Sequence, residues 1–432
     1  MNQPPASTPR LTPLPANREA AANTEPLSSS RTWLRATIAA SLVEHAPCAW
    51  PRRLRAIVLA GSMARDEATL RRQGEWLDVL GDAECLLVFR AGPLPPAAQV
   101  ETLAAQIHDD LLCRGIRCRI DLSPVTPQYF VDNPPHIFGY ELRRSGRVLW
   151  GDEAVLRLMP GYGAAELPAR DGWYLLSNRM IEFLEIAAAR PRSDSVATEL
   201  GYAAVKLCLD AAASYLLFLH RFETGYRARQ QALARLAAIP GRGVHPLPIA
   251  AFARRVDRCT QLKLAQRPLP ALEPQAVLAI LNDASRLWQW ELAQLAGLDL
   301  SPGTAPLAAP LIDQLWRTAA ARAPRLRGWL AVVRAMGWGR SWAHWGGWAA
   351  HAFTASPRFW TYRAAGFLFD LLPGQIFTVP GLAGTSLAGA QSPPRLWLPL
   401  DQGTGRAVAA SWRGWAVAVA RNYHQLVEHT RS

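Results

Sequence analysis

Apolar and polar positions along this chain follow two different periods, and the change of period divides it. Residues 32–46 repeat apolar side chains at three- and four-residue steps behind Thr32, which predicts a helix with Thr32 as its N-cap. The run "RAIVLAGS" is short, continuously apolar and closed by Gly61-Ser62, the pattern of a buried strand ending in a turn. A polar stretch leads to Asp82-Ala83-Glu84 and a second strand, "AECLLVF". "PPAAQVETLAAQIHDDLLCRG" returns to helical spacing and stops at Gly115. "IRCRIDLSPV", residues 116–125, alternates Ile116, Cys118, Ile120 and Leu122 and predicts a third strand closed by Pro124.

After residue 168 the two-residue period disappears. Residues 171–189, 197–222, 227–239 and 275–297 all carry helical spacing, and "LSPGTAPLAAP" follows as a Pro/Gly linker. The last stretch is rich in Trp, with Trp329, Trp338, Trp342, Trp345, Trp348 and Trp360 close together. The expected organisation is a disordered tail (1–31), a small mixed-sheet domain (32–160), a helical domain (168–298) and a mostly helical Trp-rich region (305–432). The fold class is α+β.

Composition adds limits. The 432 residues suffice for two or three domains, and half of them are hydrophobic. No run of about 18 uninterrupted apolar residues predicts a membrane span, and the first 30 residues lack the apolar core of a secretory signal. The six cysteines are scattered through apolar runs, so they read as reduced, mostly buried thiols in a cytoplasmic protein. The formal charge is +13, yet Lys206 and Lys263 are the only lysines and the arginines are spread along the chain. This dispersion weakens a nucleic-acid reading and leaves a solvated basic surface as the plainer one.

Candidate chemistry lies at the strand ends. Asp82 and Glu84 stand two apart, so an extended chain turns both to one side. Asp121 lies on the third strand, and adjacent strands would bring three carboxylates beside the Gly61-Ser62 turn. Clustered carboxylates resist ionisation unless a cation lies between them, and Mg²⁺, a hard ion with oxygen ligands, is the natural one. Backbone N–H groups at the turn, the Ser62 hydroxyl and Arg65 would meet phosphate oxygens. These parts suit two-metal nucleotidyl transfer, with Asp82 and Glu84 holding the triphosphate's metal and Asp121 sharing the second or acting as general base.

"LAGSMARDE", "DAECLLV" and "RIDLS" together resemble the polymerase-β-type nucleotidyltransferase superfamily, whose pattern is a Gly-Ser turn, Asp-x-Asp/Glu and a later third carboxylate. Arg65 and Glu67 match the Gly-Ser-x-x-Arg-x-Glu form of its minimal and antibiotic-modifying branches. The resemblance covers residues 33–160 and, more weakly, the helices after them. It implies Gly61 and Ser62 as the phosphate turn, Asp82, Glu84 and Asp121 as ligands of two Mg²⁺ ions (or Mn²⁺), and a nucleoside triphosphate and an acceptor hydroxyl as substrates. Two departures stand out: nineteen residues separate Ser62 from Asp82, read as an inserted loop around "TLRRQGEW", and Asp66 occupies a position where these branches usually have Gly.

Tyr202, Lys206 and Asp210 fall on one helical face, from which Lys206 would reach the triphosphate. Asp109-Asp110 reads as a solvated face. Two other readings stand beside catalysis: a non-catalytic nucleotide-sensing module, and a scaffold whose Trp-rich region packs on a partner or touches a membrane surface.

Overall fold

The structure is a computed structural model. It describes residues 27–189, 194–239, 245–265, 272–300, 307–337, 339, 341, 345–376, 396–400 and 411–430. Most of the expected tail, residues 301–306 of the linker, and Trp338 and Trp342 lie outside the described residues. The fold is α+β: one five-stranded mixed sheet near the N-terminal side, followed by helices.

Helix α1 (Leu27–Ala49) leads into β1 (Leu54–Leu59), the one-turn helix α2 (Gly61–Ala64), β2 (Leu70–Gln73) and β3 (Trp76–Phe89). Then follow α3 (Ala97–Cys113), β4 (Ile116–Val125), α4 (Pro127–Val131), α5 (Ile137–Ser145) and β5 (Arg147–Gly151). Helix α1 starts five residues before Thr32, which therefore lies inside the helix and caps nothing.

Strand β3 organises the sheet. It pairs antiparallel with β2 at its start and with β1 at its end, and parallel with β4 along its length; β5 pairs with β1. The expected second strand was to begin at Asp82. It begins six residues earlier, at Trp76, because "TLRRQGEW" is no loop: it closes a hairpin through Gly74, whose φ of 62° suits the turn. Between Asp78 and Asp82 the β3–β4 register slips, with two more residues on β3 than on β4. Asp82 thus follows a bulge in mid-strand, the kind of device that re-aims side chains.

The two faces of the sheet differ. Leu59, Ala83, Cys85, Leu87, Ile116, Cys118, Ile120 and Leu122 point to one side, where Leu34, Ile38 and Leu42 of α1 and Leu103, Ile107 and Leu111 of α3 cover them. The other face is apolar where Ala56, Val58, Leu86 and Val88 meet Phe130, Leu142 and Val155, and polar where β3 and β4 carry Asp82, Glu84, Arg119 and Asp121.

Beyond the sheet run α6 (Ala169–Ala188), α7 (Asp194–Phe218), α8 (Tyr226–Ala237), α9 (Ile249–Leu264), α10 (Pro274–Ala296), α11 (Ala309–Arg322), α12 (Leu326–Met336), α13 (Trp345–Ala352), α14 (Pro357–Ile376) and α15 (Trp412–Thr430). One continuous core joins all of α6 to α15: Trp173, Trp288, Trp316, Trp329, Trp348, Phe359 and Trp412 are buried in it together. The helical domain and the Trp-rich region are therefore packed as one body. Trp173 and Trp288 lie 5.6 Å apart, centroid to centroid, and Trp316 and Trp360 4.6 Å. Several indole N–H groups are satisfied inside: Trp288 donates to Ser177 Oγ at 2.9 Å, Trp316 to the Phe359 carbonyl and Trp412 to that of Leu368, whereas the buried N–H of Trp173 meets no acceptor. The stretch Glu199–Phe218 of α7 is long and apolar enough to cross a membrane by composition, and it is buried within this core. All six cysteines are free thiols; Cys48 and Cys113 are exposed and the other four buried.

Candidate functional site

The polar corner of the sheet starts from the end of β1. Gly61 takes a φ of 65°, a conformation that strains residues with a Cβ, and a Cβ there would lie 2.6 Å from Glu84 Oε2. The Ala60 N–H donates to the Glu84 carbonyl at 2.8 Å, so the turn is fastened to β3 beside the carboxylate it shelters. Across the sheet Glu84 is in register with Asp121, and Asp82 with Arg119. Residues paired in a parallel ladder share a face, so Asp82, Glu84 and Asp121 lie on one side of the sheet next to the Gly61 turn.

Their proximity shows in Glu84. Partial burial, followed by repulsion from Asp82 and Asp121, pushes its carboxyl up to about 7, against a smaller opposing pull from Arg65. The donor atoms of the three nevertheless do not all fall within 4.8 Å of one another. Among the described residues the trio that does is Glu44, His45 and Asp110. There Arg114 already neutralises Asp110 at 2.9 Å, as expected of a solvated helix face, and we assign it no site.

Arg65 has a different setting from a free phosphate ligand. Its Nε donates to Glu67 and one Nη to Glu141 of α5, both at 3.1 Å, and its side chain is 10 % exposed. Glu141 is bonded in turn by Arg229 of α8. Glu67 accepts the Tyr226 N–H at 2.8 Å, placing a carboxylate at the positive N-terminus of α8. The Gly-Ser-x-x-Arg-x-Glu segment therefore ties the sheet to the helices. Asp66, between the two, has φ 59° and pairs with Arg35 and Arg147. This left-handed position explains why a Gly would suit it, and Asp is among the few other residues that tolerate it.

Helices α7 and α9 close over the same corner. The Tyr202 hydroxyl donates to the carbonyl of Leu80, in the bulge two residues before Asp82, and accepts from Lys263 Nζ at 2.9 Å. Lys206, the expected triphosphate ligand, lies one turn further along α7 and faces Glu182 at 3.6 Å. Lys263 itself is 4 % exposed, and burial lowers its ammonium to about 8. Arg31 of α1 stitches the seam by donating to the carbonyls of Ala68 and Leu264. Sequence reasoning missed Glu141 and Lys263. Glu141 gave no signal, but the rarity of lysine in an Arg-rich chain was one for Lys263.

A large open cleft of about 860 Å³ lies at the other end of the sheet, lined by Arg55, Arg90, Trp150 and Asp152 among others. Its Arg55 is committed to Asp152 at 2.7 Å, and the cleft contains none of the three carboxylates.

Comparison of the chain with family models, with curated proteins and with solved structures finds no match.

Proposed function

We propose that this chain transfers a nucleoside monophosphate from a nucleoside triphosphate to an acceptor hydroxyl, releasing pyrophosphate, with Mg²⁺ bound at the polar corner of the sheet. The observation that carries this reading is the register of Glu84 against Asp121 with Asp82 on the same face, beside a glycine turn that only a residue without a Cβ could press against Glu84. The donor set fits the ion: three carboxylates on one face, Glu84 among them resisting ionisation, supply hard oxygen ligands. Bound there, Mg²⁺ would neutralise phosphate charge and acidify the acceptor hydroxyl.

The remaining roles belong to the chain itself. Asp82 and Glu84 orient the triphosphate, and Asp121 accepts the hydroxyl proton. The Gly61-Ser62 turn offers N–H groups to phosphate oxygens. Lys206 stands at the rim, where it can exchange Glu182 for a phosphate. The Tyr202 bond to Leu80 fixes the bulge from which Asp82 projects, as a supported site requires.

The test is incubation of the full chain with α-labelled nucleoside triphosphates, Mg²⁺ and a cell lysate as the source of acceptor, followed by measurement of label transfer and pyrophosphate. Asp82→Ala and Asp121→Asn are each expected to lower transfer by roughly 100- to 1,000-fold. Turnover unchanged in either variant refutes the assignment.

A second reading, Mg²⁺–triphosphate binding without turnover, is favoured by Arg65, whose guanidinium is engaged by two protein carboxylates. Calorimetric binding of the triphosphate with no label transferred to any lysate fraction would select it.

A further inference from the structure

The tryptophans of the C-terminal half are mostly core residues, yet this half has an apolar surface of another composition. Leu326 is 71 % exposed, Leu330 56 % and Phe353 79 %, the three highest values among the large apolar side chains of the described residues. Leu326 and Leu330 are one turn apart on α12, whose adjoining face buries Trp329, Val332 and Val333. Phe353 lies just after α13 and shares a shallow depression with Leu326, Arg325 and Arg327. Arg325 fastens the two pieces together by donating to the Phe353 carbonyl and, at 3.2 Å, to that of Ala321. The patch is thus built on folded elements.

Its charge is one-sided. From residue 314 to residue 369 the sequence contains eight arginines and no Asp or Glu. Residues 305–432 hold 13 arginines against four carboxylates, a surplus of nine out of the chain's net +13. Exposed Arg327 and Arg334 stand three residues before and four after Leu330 on α12, on the same strip of surface.

We propose that this strip docks on an anionic lipid surface, with Leu326, Leu330 and Phe353 entering the headgroup–acyl boundary and the arginines meeting lipid phosphates and carboxylates. Apolar side chains over one face with arginine beside them is the composition of an interfacial helix. An anionic leaflet attracts such a basic surface and adds to the apolar gain. Nucleic acid answers the charge alone. A phosphate backbone gains nothing from two leucines, and base stacking needs aromatic platforms where the strip has one phenylalanine. The proposal is independent of nucleotidyl transfer, whose carboxylates lie on the sheet.

Co-sedimentation of the full chain with extruded vesicles tests it. Binding is expected to phosphatidylcholine vesicles containing about one-third phosphatidylserine, with at least about tenfold weaker binding to phosphatidylcholine alone. Leu326→Ser/Leu330→Ser/Phe353→Ser should weaken binding by about tenfold or more, and Arg327→Glu/Arg334→Glu likewise, with melting temperatures unchanged because these side chains are exposed. The proposal is overturned by failure of the parent chain to sediment, by equal binding to neutral vesicles, or by undiminished binding of the folded triple-serine variant. Binding of duplex DNA in preference to vesicles, unaffected by the serines, would assign the basic surface to nucleic acid and overturn it too.

Discussion

The helical body and the seam that joins it to the sheet are both buried, but they are held by different forces. In the body, indoles and phenyl rings interlock and several indole N–H groups each find a carbonyl or hydroxyl, so apolar burial dominates, with buried Glu291 held by Ser214 among the polar exceptions. At the seam, Arg65, Glu67, Glu141 and Arg229 form ion pairs, Lys263 bonds a tyrosine, and Glu84 keeps a strained carboxyl. Buried charges of this kind add little net stability, because the cost of leaving water offsets most of their attraction. What they fix is geometry: the helices can sit over Asp82 in few ways. Stability and placement are thus assigned to separate regions.

The contrast should break most visibly in the body. Trp288→Ala empties the space that Gly366 leaves for the indole, where a Cβ would come within 2.5 Å of the ring, and strips Ser177 of its partner. A loss of about 3–5 kcal/mol is expected in urea unfolding. A loss under about 1 kcal/mol would mean that the aromatic core is not what holds the helices.

At the seam the expected signature is pH. A carboxyl whose pKa is raised in the folded state holds its proton longer than in the unfolded chain. The Glu84 contribution therefore falls as pH rises from about 4.5 to about 7 and stays low above that. The decline should reach at most about 3 kcal/mol in metal-free buffer and shrink when millimolar Mg²⁺ is added. A Glu84→Gln variant should show no such Mg²⁺-dependent recovery; an identical profile in variant and parent would remove Glu84 as its source.

The smallest effect is expected at Lys263. A lysine whose pKa is lowered to about 8 lowers stability below that pH, and the penalty fades as pH rises toward about 10.5. Lys263→Met should therefore be neutral or stabilising by about 1 kcal/mol at pH 7, with the advantage vanishing in alkali. A melting temperature several degrees lower at pH 7 would show that the bond to Tyr202 contributes net stability.

Much of this was readable from period alone. Strand β4 runs from Ile116 to Val125 as its alternation indicates, and α3, α6 and α10 match their spacing within a few residues. The failures have physical causes. The β2–β3 hairpin carries Arg71, Arg72 and Gln73 where an apolar stripe would announce a strand, since the cross-strand pair of Arg71 with Asp78 supports it instead. The single core escaped notice because a Pro/Gly linker in sequence says nothing of how its flanks pack. For the site, the carboxylate positions and the Gly61 turn were visible as a motif. The embrace of Arg65 by Glu141 was not, because the two are 76 residues apart and no periodic signal links them.

Helix α15 packs on both α6 and α14, so the last element of the helical body closes against its first. The sheet, by contrast, has all its strands within residues 54–151. On a ribosome the sheet can settle while most of the chain is still unmade, whereas the helices must wait, with tryptophans uncovered, for some 250 further residues. A nascent chain stalled before residue 412 should therefore engage chaperones through the helices after residue 168 and leave the sheet untouched.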